Sequence, residues 1–426
     1  MTASVHATEL LLFSVLLQLI VMIGAARFCN SLARQLGQPG VTGEIVAGLL
    51  LGPSLFGHFF PGASATLFGQ AESTPIVIIS QIGLILLMFQ VGTDFAFGHL
   101  RSSRHRAATL FVALASVTVP FCLGVGFGWW SAGTLAPGID ITVYSLFCGI
   151  AVAITAVPIL GRIPREYRLE QDPIGVVAIA AAAGNDVAGW ILLACISAYA
   201  TARLTGGFLL FTLGAILAGI AVFWWLLRPL AGWLTRTMPP RDDTLAPGLM
   251  AIVLCLIFAL GIYTNAIGIF TIFGGFAAGL LFHQYPAFVT AWRRQVGQFV
   301  LVFFLPVFFT FTGLRTNVFG LSSAADFGWL GVALIASIPG KMLPVYIAGR
   351  LSGFDRWESA VLGTLMNTRA LMELIVLNVG YDLGFLPQKA FTMLVIMAIV
   401  TTLMTGPLLR FRLPRMGHVV TEQVAA

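Results

Sequence analysis

Charge is what this sequence lacks most: only 9% of its 426 residues are charged, against 58% hydrophobic. A water-soluble domain carries roughly 25% charged residues. A chain of this length and poverty in charge cannot cover a water-facing surface of its own size, so its solvent is lipid. The start of the chain lacks a basic segment ahead of an apolar run; Met1 to Glu9 holds neither Lys nor Arg, and no removable leader is expected. Cysteine is scarce too. Cys29, Cys122, Cys148, Cys195 and Cys255 fall in or at the ends of apolar runs without metal-ligand spacing, and they read as apolar filler. No cofactor is expected. The net charge of +6 would fit nucleic acid only if the basic residues were gathered together.

What the chain has instead is long apolar runs. A membrane span needs about 20 mostly apolar residues. Thirteen such segments are expected, at about 9–29, 41–58, 74–95, 107–130, 141–161, 173–200, 207–227, 246–263, 266–283, 297–314, 327–349, 357–380 and 388–409. The expected fold class is an all-α integral membrane protein, a single transmembrane unit with no soluble C-terminal regulatory domain. With the N-terminus outside, eighteen of the 23 basic residues fall on the cytoplasmic side. Arg203, Arg315 and Lys389 fall outside, and Lys341 and Arg369 lie within spans. Basic residues gather on the inner side of membrane proteins, so the split predicts N-out, C-in. It also disposes of nucleic acid as a partner, because the charge is spread over loops where it anchors topology.

Two short matches point to an internal duplication. Ile-Val-Ala-Gly-Leu-Leu (45–50, span 2) resembles Phe-Ala-Ala-Gly-Leu-Leu (276–281, span 9), and the end of span 3 (87–94) resembles the end of span 10 (307–315). Both pairs lie seven spans apart. An odd offset runs the two halves through the membrane in opposite senses, the inverted-repeat plan of many secondary transporters. The expected organisation is spans 1–6 and 8–13 as repeats joined by span 7 at about 207–227. The same offset pairs span 5 with span 12, where broken helices are expected.

The few charges inside the spans carry the chemistry. An ionisable group near the bilayer centre costs about 2.5–3.5 kcal/mol on insertion scales, so each needs a partner, a water-filled cavity or a task. Asp186 lies about fourteen residues into span 6, roughly 20 Å deep at 1.5 Å per residue, among the small residues of Ala-Ala-Ala-Gly-Asn-Asp-Val-Ala-Gly-Trp (181–190). Lys341 is equally deep in span 11, after Pro339 and Gly340, where a helix break is expected. It reads either as a counter-ion holding two helices together or as a direct participant. Arg369 and Glu373 stand one turn apart in span 12 and read first as a self-neutralising pair that braces a helix. Glu44 and Asp94, near span ends, are expected to snorkel to the interface. In span 5, Pro158 removes a donor and clashes one turn back, near Thr155. Freed carbonyls and a Thr hydroxyl are hard oxygen ligands suited to Na⁺ or K⁺.

These residues carry a resemblance over essentially the whole span region. Gly43-Glu44-Ile45-Val46-Ala47-Gly48-Leu49-Leu50-Leu51-Gly52-Pro53, Gly184-Asn185-Asp186-Val187-Ala188-Gly189-Trp190 and Met366-Asn367-Thr368-Arg369-Ala370-Leu371-Met372-Glu373 resemble the monovalent cation/proton antiporter-2 family, closest to its plant and fungal branch. The resemblance implies a sodium/proton-antiporter-like fold with discontinuous crossing helices, in a homodimer whose mobile core moves like an elevator. It implies cation and proton binding at Asp186, with Thr155 and Asn185 alongside and Lys341 as charge partner. Two departures stand out: many members carry a carboxylate where this chain has Asn185, and Ala370 replaces a glycine. The expected function is exchange of K⁺ or Na⁺ for H⁺ in a cell membrane (a bacterial inner membrane), by competition at Asp186, electroneutral, with no enzymatic step. A Kef-like gated potassium efflux pathway and a non-transporting sensor or scaffold that retains the fold remain the alternatives.

Overall fold

The computed structural model describes residues 2–36, 38, 40–68, 74–93, 106–155, 160, 169, 172–201, 206–267, 270–369 and 371–416. Among them, nine helices are long and apolar enough to cross a membrane, among them Ala107–Leu135, Pro173–Ser197, Ala324–Leu351 and Gln388–Met416. Four further expected spans carry shorter helices. Gly40–Leu51, Ile141–Ala153 and Thr271–Phe282 have 12, 13 and 12 residues, about 18–20 Å at 1.5 Å per residue and so short of a roughly 30 Å hydrocarbon core. Span 12 is divided into Arg356–Met366 and Leu371–Asp382.

The chain forms two compact units. One comprises Met1–Ile23, Leu67–Ala96 and Ala194–Phe311. Its interior is aromatic, with the Phe89 ring 4.5 Å from Trp292 and Phe282 stacked on Phe288 at 4.4 Å. Gly92 and Gly279 let two helix backbones touch; a Cβ on either would run into the other chain segment. Three π-helical turns, Phe223–Leu227, Arg293–Gly297 and Val300–Phe304, widen helices of this unit locally.

The other unit comprises Gly24–Thr66, Phe97–Leu193 and Thr312–Ala426. Here Gly48 and Gly313 make the corresponding backbone-to-backbone contact. Three of its helices start on side-chain caps that satisfy otherwise orphaned N–H groups. Asp140 accepts from the N–H groups of Thr142 (2.9 Å) and Val143 (3.0 Å), and Ser323 with Asp326 and Asp355 with Glu358 form reciprocal capping boxes.

Two interruptions position the charges. The helix Ile141–Ala153 gives way to extended backbone at Ile154 (φ −66°, ψ 143°). Pro158 itself lies outside the described residues, yet its sequence position accounts for the stop: a helix reaching it would set its ring against the Ile154 carbonyl four residues back. The second interruption, at Asn367–Arg369, contains neither proline nor glycine. It is held open by tertiary bonds: the Thr402 hydroxyl donates to the Arg369 carbonyl (2.5 Å), and the Thr368 hydroxyl to that of Thr405 (3.4 Å). The break expected at Pro339 and Gly340 does not occur. The helix Ala324–Leu351 runs through both, since one missing donor is tolerated where neighbouring helices pack closely. Gly340 serves that packing, because a Cβ there would collide with Leu123.

Candidate functional site

Asp186 stands mid-way along the helix Pro173–Thr201 and is 1% exposed. The alanines before it, Ala180 to Ala183, are buried, and small side chains here allow other helices to come close. Gly189, one turn further, makes room for the Ile154 side chain; a Cβ would sit 3.0 Å from it. This glycine therefore brings the Asp186 helix against the extended stretch that follows Ala153.

Asn185 ties that helix to its neighbour. With its amide oriented to satisfy both ends, the oxygen accepts from the Ser116 hydroxyl at 2.6 Å, and the NH₂ donates to the Ala113 and Ala181 carbonyls at 3.2 Å each. The amide also lies 3.3 Å from the Thr155 hydroxyl. Thr155 in turn donates to the Met366 carbonyl at 3.1 Å, so the two interruptions meet through one hydrogen bond. Asn185 is a strut as well as a neighbour of Asp186.

Lys341 is fully buried, and its ammonium donates to the Ala153 carbonyl, the last of its helix. It lies within electrostatic reach of Asp186, Arg369 and Glu373. The Arg369 guanidinium donates to the Ala151 carbonyl at 2.9 Å. Both cations thus crowd the C-terminal end of the helix Ile141–Ala153, where unsatisfied carbonyls and the helix dipole favour positive charge. Glu373 occupies the first turn of Leu371–Asp382, the end that favours negative charge, and its carboxylate is 3.8 Å from Arg369. The pair expected one turn apart within a single helix spans the edge of a break, with Arg369 outside the helix and Glu373 in it.

Four ionisable groups expected from the sequence, Asp186, Lys341, Arg369 and Glu373, are thus buried in one unit, as are Thr155 and Asn185. Sequence reasoning gave no role to Ser116, Thr402 or Asn367; the first two are hydroxyls within apolar runs that hold other hydroxyls as well, Thr118 near Ser116 and Thr401 beside Thr402. It also misplaced Glu44. This carboxylate does not snorkel: it is 2% exposed and accepts from the Asn30 amide at 2.6 Å. The reason is the approach of spans 1 and 2, where a Cβ on Gly43 would strike the backbone at Cys29. Asp94 lies outside the described residues.

A family model described as "Sodium/hydrogen exchanger, transmembrane" matches residues 19–413. The chain belongs to this transporter family. Relatives within it agree with the plant and fungal likeness of its motifs. The Na(+)/H(+) antiporter NhaS4 of Synechocystis sp. is 33% identical over 416 residues, covering 96% of this chain and 99% of that protein. Cation/H(+) antiporter 20 of Arabidopsis thaliana is 35% identical over 402 residues, covering 92% of this chain and 47% of the plant protein. K(+)/H(+) antiporter 1 of Saccharomyces cerevisiae is 29% identical, with 88% and 44% covered. The chain spans about half the length of these plant and yeast relatives. Among solved structures, the sodium proton antiporter MjNhaP1 of Methanocaldococcus jannaschii matches with a TM-score of 0.56 over 98% of this chain and 100% of that one. At 16% identity, this likeness is one of fold. The sodium/hydrogen exchanger fold is thus assembled here around two interrupted helices and four buried charges.

Proposed function

We propose that this exchanger-family chain trades a monovalent cation, K⁺ or Na⁺, for protons across the membrane, the two competing for Asp186. The observation that carries this reading is a deeply buried carboxylate within electrostatic reach of the buried Lys341, on a helix whose Asn185 meets a helix interruption at Thr155. Ionised and empty, such a carboxylate is costly in a low-dielectric interior. Either a proton or a dehydrated cation relieves that cost, and the unit bearing the charges moves readily only when one of them is bound. With Asp186 as the single exchanging group, each journey carries one charge equivalent, so the exchange is electroneutral.

The glycine contacts support the inverted repeat behind this scheme. The sequence matches pair Gly48 with Gly279 and Gly92 with Gly313. Gly48 packs on Gly313 in one unit and Gly279 on Gly92 in the other. Exchanging the repeats carries one contact onto the other, as duplication requires. The rest of the proposal is an N-out, C-in homodimer in a bacterial inner membrane, resting on the distribution of basic residues and the family likeness.

The decisive experiment is dye-reported proton flux in proteoliposomes under an imposed K⁺ or Na⁺ gradient. Asp186→Asn is expected to fold, by an unchanged gel-filtration profile, and to lose cation-dependent flux. Residual exchange above about a tenth of wild type, roughly 1.4 kcal/mol of barrier, would remove Asp186 from the centre of the mechanism.

A further inference from the structure

Along the break between Arg356–Met366 and Leu371–Asp382, the main-chain and hydroxyl groups named above are taken up by the protein. The Met366 carbonyl accepts from Thr155, the Thr368 hydroxyl bonds Thr405, and the Arg369 carbonyl accepts from Thr402. Asn367 differs. It is 1% exposed, and neither its Oδ1 nor its Nδ2 has a hydrogen-bond partner among the described residues. A primary amide shut away from water with both ends unmet is among the costlier features a core can hold. Such an amide calls for a partner beyond the described residues.

The placement points to what that is. Asn367 directly follows the carbonyl that binds Thr155, and Thr155 is 3.3 Å from the amide of Asn185, the residue before Asp186. An amide oxygen is a hard, neutral ligand, suited to hard cations that favour oxygen donors. We propose that Asn367 supplies an oxygen ligand to the transported cation and sets the preference between K⁺ and Na⁺. The proposal rests on the exchange reading above. It also has a signature of its own: a neutral amide holds a cation but no proton, so losing it weakens the cation arm of the cycle and leaves the proton arm alone.

The test compares wild type, Asn367→Ala and Asn367→Asp by proteoliposome flux across a series of K⁺ and Na⁺ concentrations. In Asn367→Ala the half-saturating cation concentration is expected to rise about tenfold. The ratio of the K⁺ to the Na⁺ value should shift at least threefold, while the pH profile in saturating cation stays as in wild type. Asn367→Asp, which keeps an oxygen and adds charge, should lower half-saturation below wild type. Half-saturation and ion ratio both within twofold of wild type would overturn the proposal. So would a lower maximal rate with neither value moved, the mark of a residue that only shapes the break. If Asn367→Ala fails to assemble, the Asp variant decides, because unchanged half-saturation there refutes the ligand role. Absent exchange in wild type, or exchange surviving Asp186→Asn, would instead strike the parent reading.

Discussion

Breaking the Arg369–Glu373 pair offers the sharpest quantitative test of how the interrupted helix is held. The two groups are fully buried, 3.8 Å apart, with Arg369 also donating to the Ala151 carbonyl. Two unit charges at that separation attract by about 4 kcal/mol at an effective dielectric near 20. Arg369→Met leaves Glu373 buried with only the more distant Lys341 to offset it, and orphans the Ala151 carbonyl. Single removals of this kind cost about 3–5 kcal/mol, whereas replacing both partners by apolar groups is often close to neutral. Arg369→Met with Glu373→Leu should therefore recover most of the loss, and the double-mutant cycle should give a coupling of about 3 kcal/mol. One kcal/mol moves a melting midpoint by about 2–4 °C in a 150–250-residue domain and by less in a longer chain. The single variant is thus expected about 3–6 °C below wild type and the double variant within about 2 °C of it. The nine tryptophans give the signal for thermal unfolding in detergent. A double variant that loses as much as the two singles added together would show that the charges do not act as a pair.

The other predictions concern the cycle. Lys341→Ala removes a positive charge from the vicinity of Asp186 and the donor to the Ala153 carbonyl. It should melt lower and reach half-saturation at a lower cation concentration while still exchanging; complete loss of flux with an unchanged midpoint would make Lys341 a direct participant. Electroneutrality predicts flux that ignores an imposed potential of about 100 mV, worth about 2.3 kcal/mol for each net charge moved. A steady current on a solid-supported membrane, reversing with the ion gradient, would identify a second titrating group.

Much of this was legible in the sequence, for a physical reason: lipid tolerates few charges, so each buried charge stands out against an apolar background. Asp186, Lys341, Arg369 and Glu373 announce themselves in this way, and Pro158 marks the first interruption. The second could be anticipated only through the repeat offset, since Asn367-Thr368-Arg369 contains no helix breaker and owes its shape to hydroxyls of the last helix. Pro339 misled because a lone proline is a local signal, and whether a helix breaks there depends on what packs around it. Glu44 misled for the complementary reason. Snorkelling presumes lipid beside the residue, whereas here Gly43 lets the neighbouring span pack against Glu44 and bring Asn30 within reach. Asn367 stands in one of the family motifs, yet nothing in the sequence marks its amide as unmet, which is visible only when its surroundings are known.

Lys341 and Arg369 are held by main-chain carbonyls at the end of Ile141–Ala153, and this makes the site robust to one kind of change and fragile to another. A carbonyl is present whatever side chain its residue bears. Substitutions that keep this buried helix packed therefore leave the acceptors for both cations in place, so the charge arrangement itself makes no demand on side-chain identity here. Length is another matter. Adding or removing one residue turns a helix by about 100° and shifts its end by about 1.5 Å, presenting different carbonyls in different directions. The charge arrangement thus fixes the number of residues in this segment, a constraint separate from the packing that fixes their size, and insertions within it should be rare.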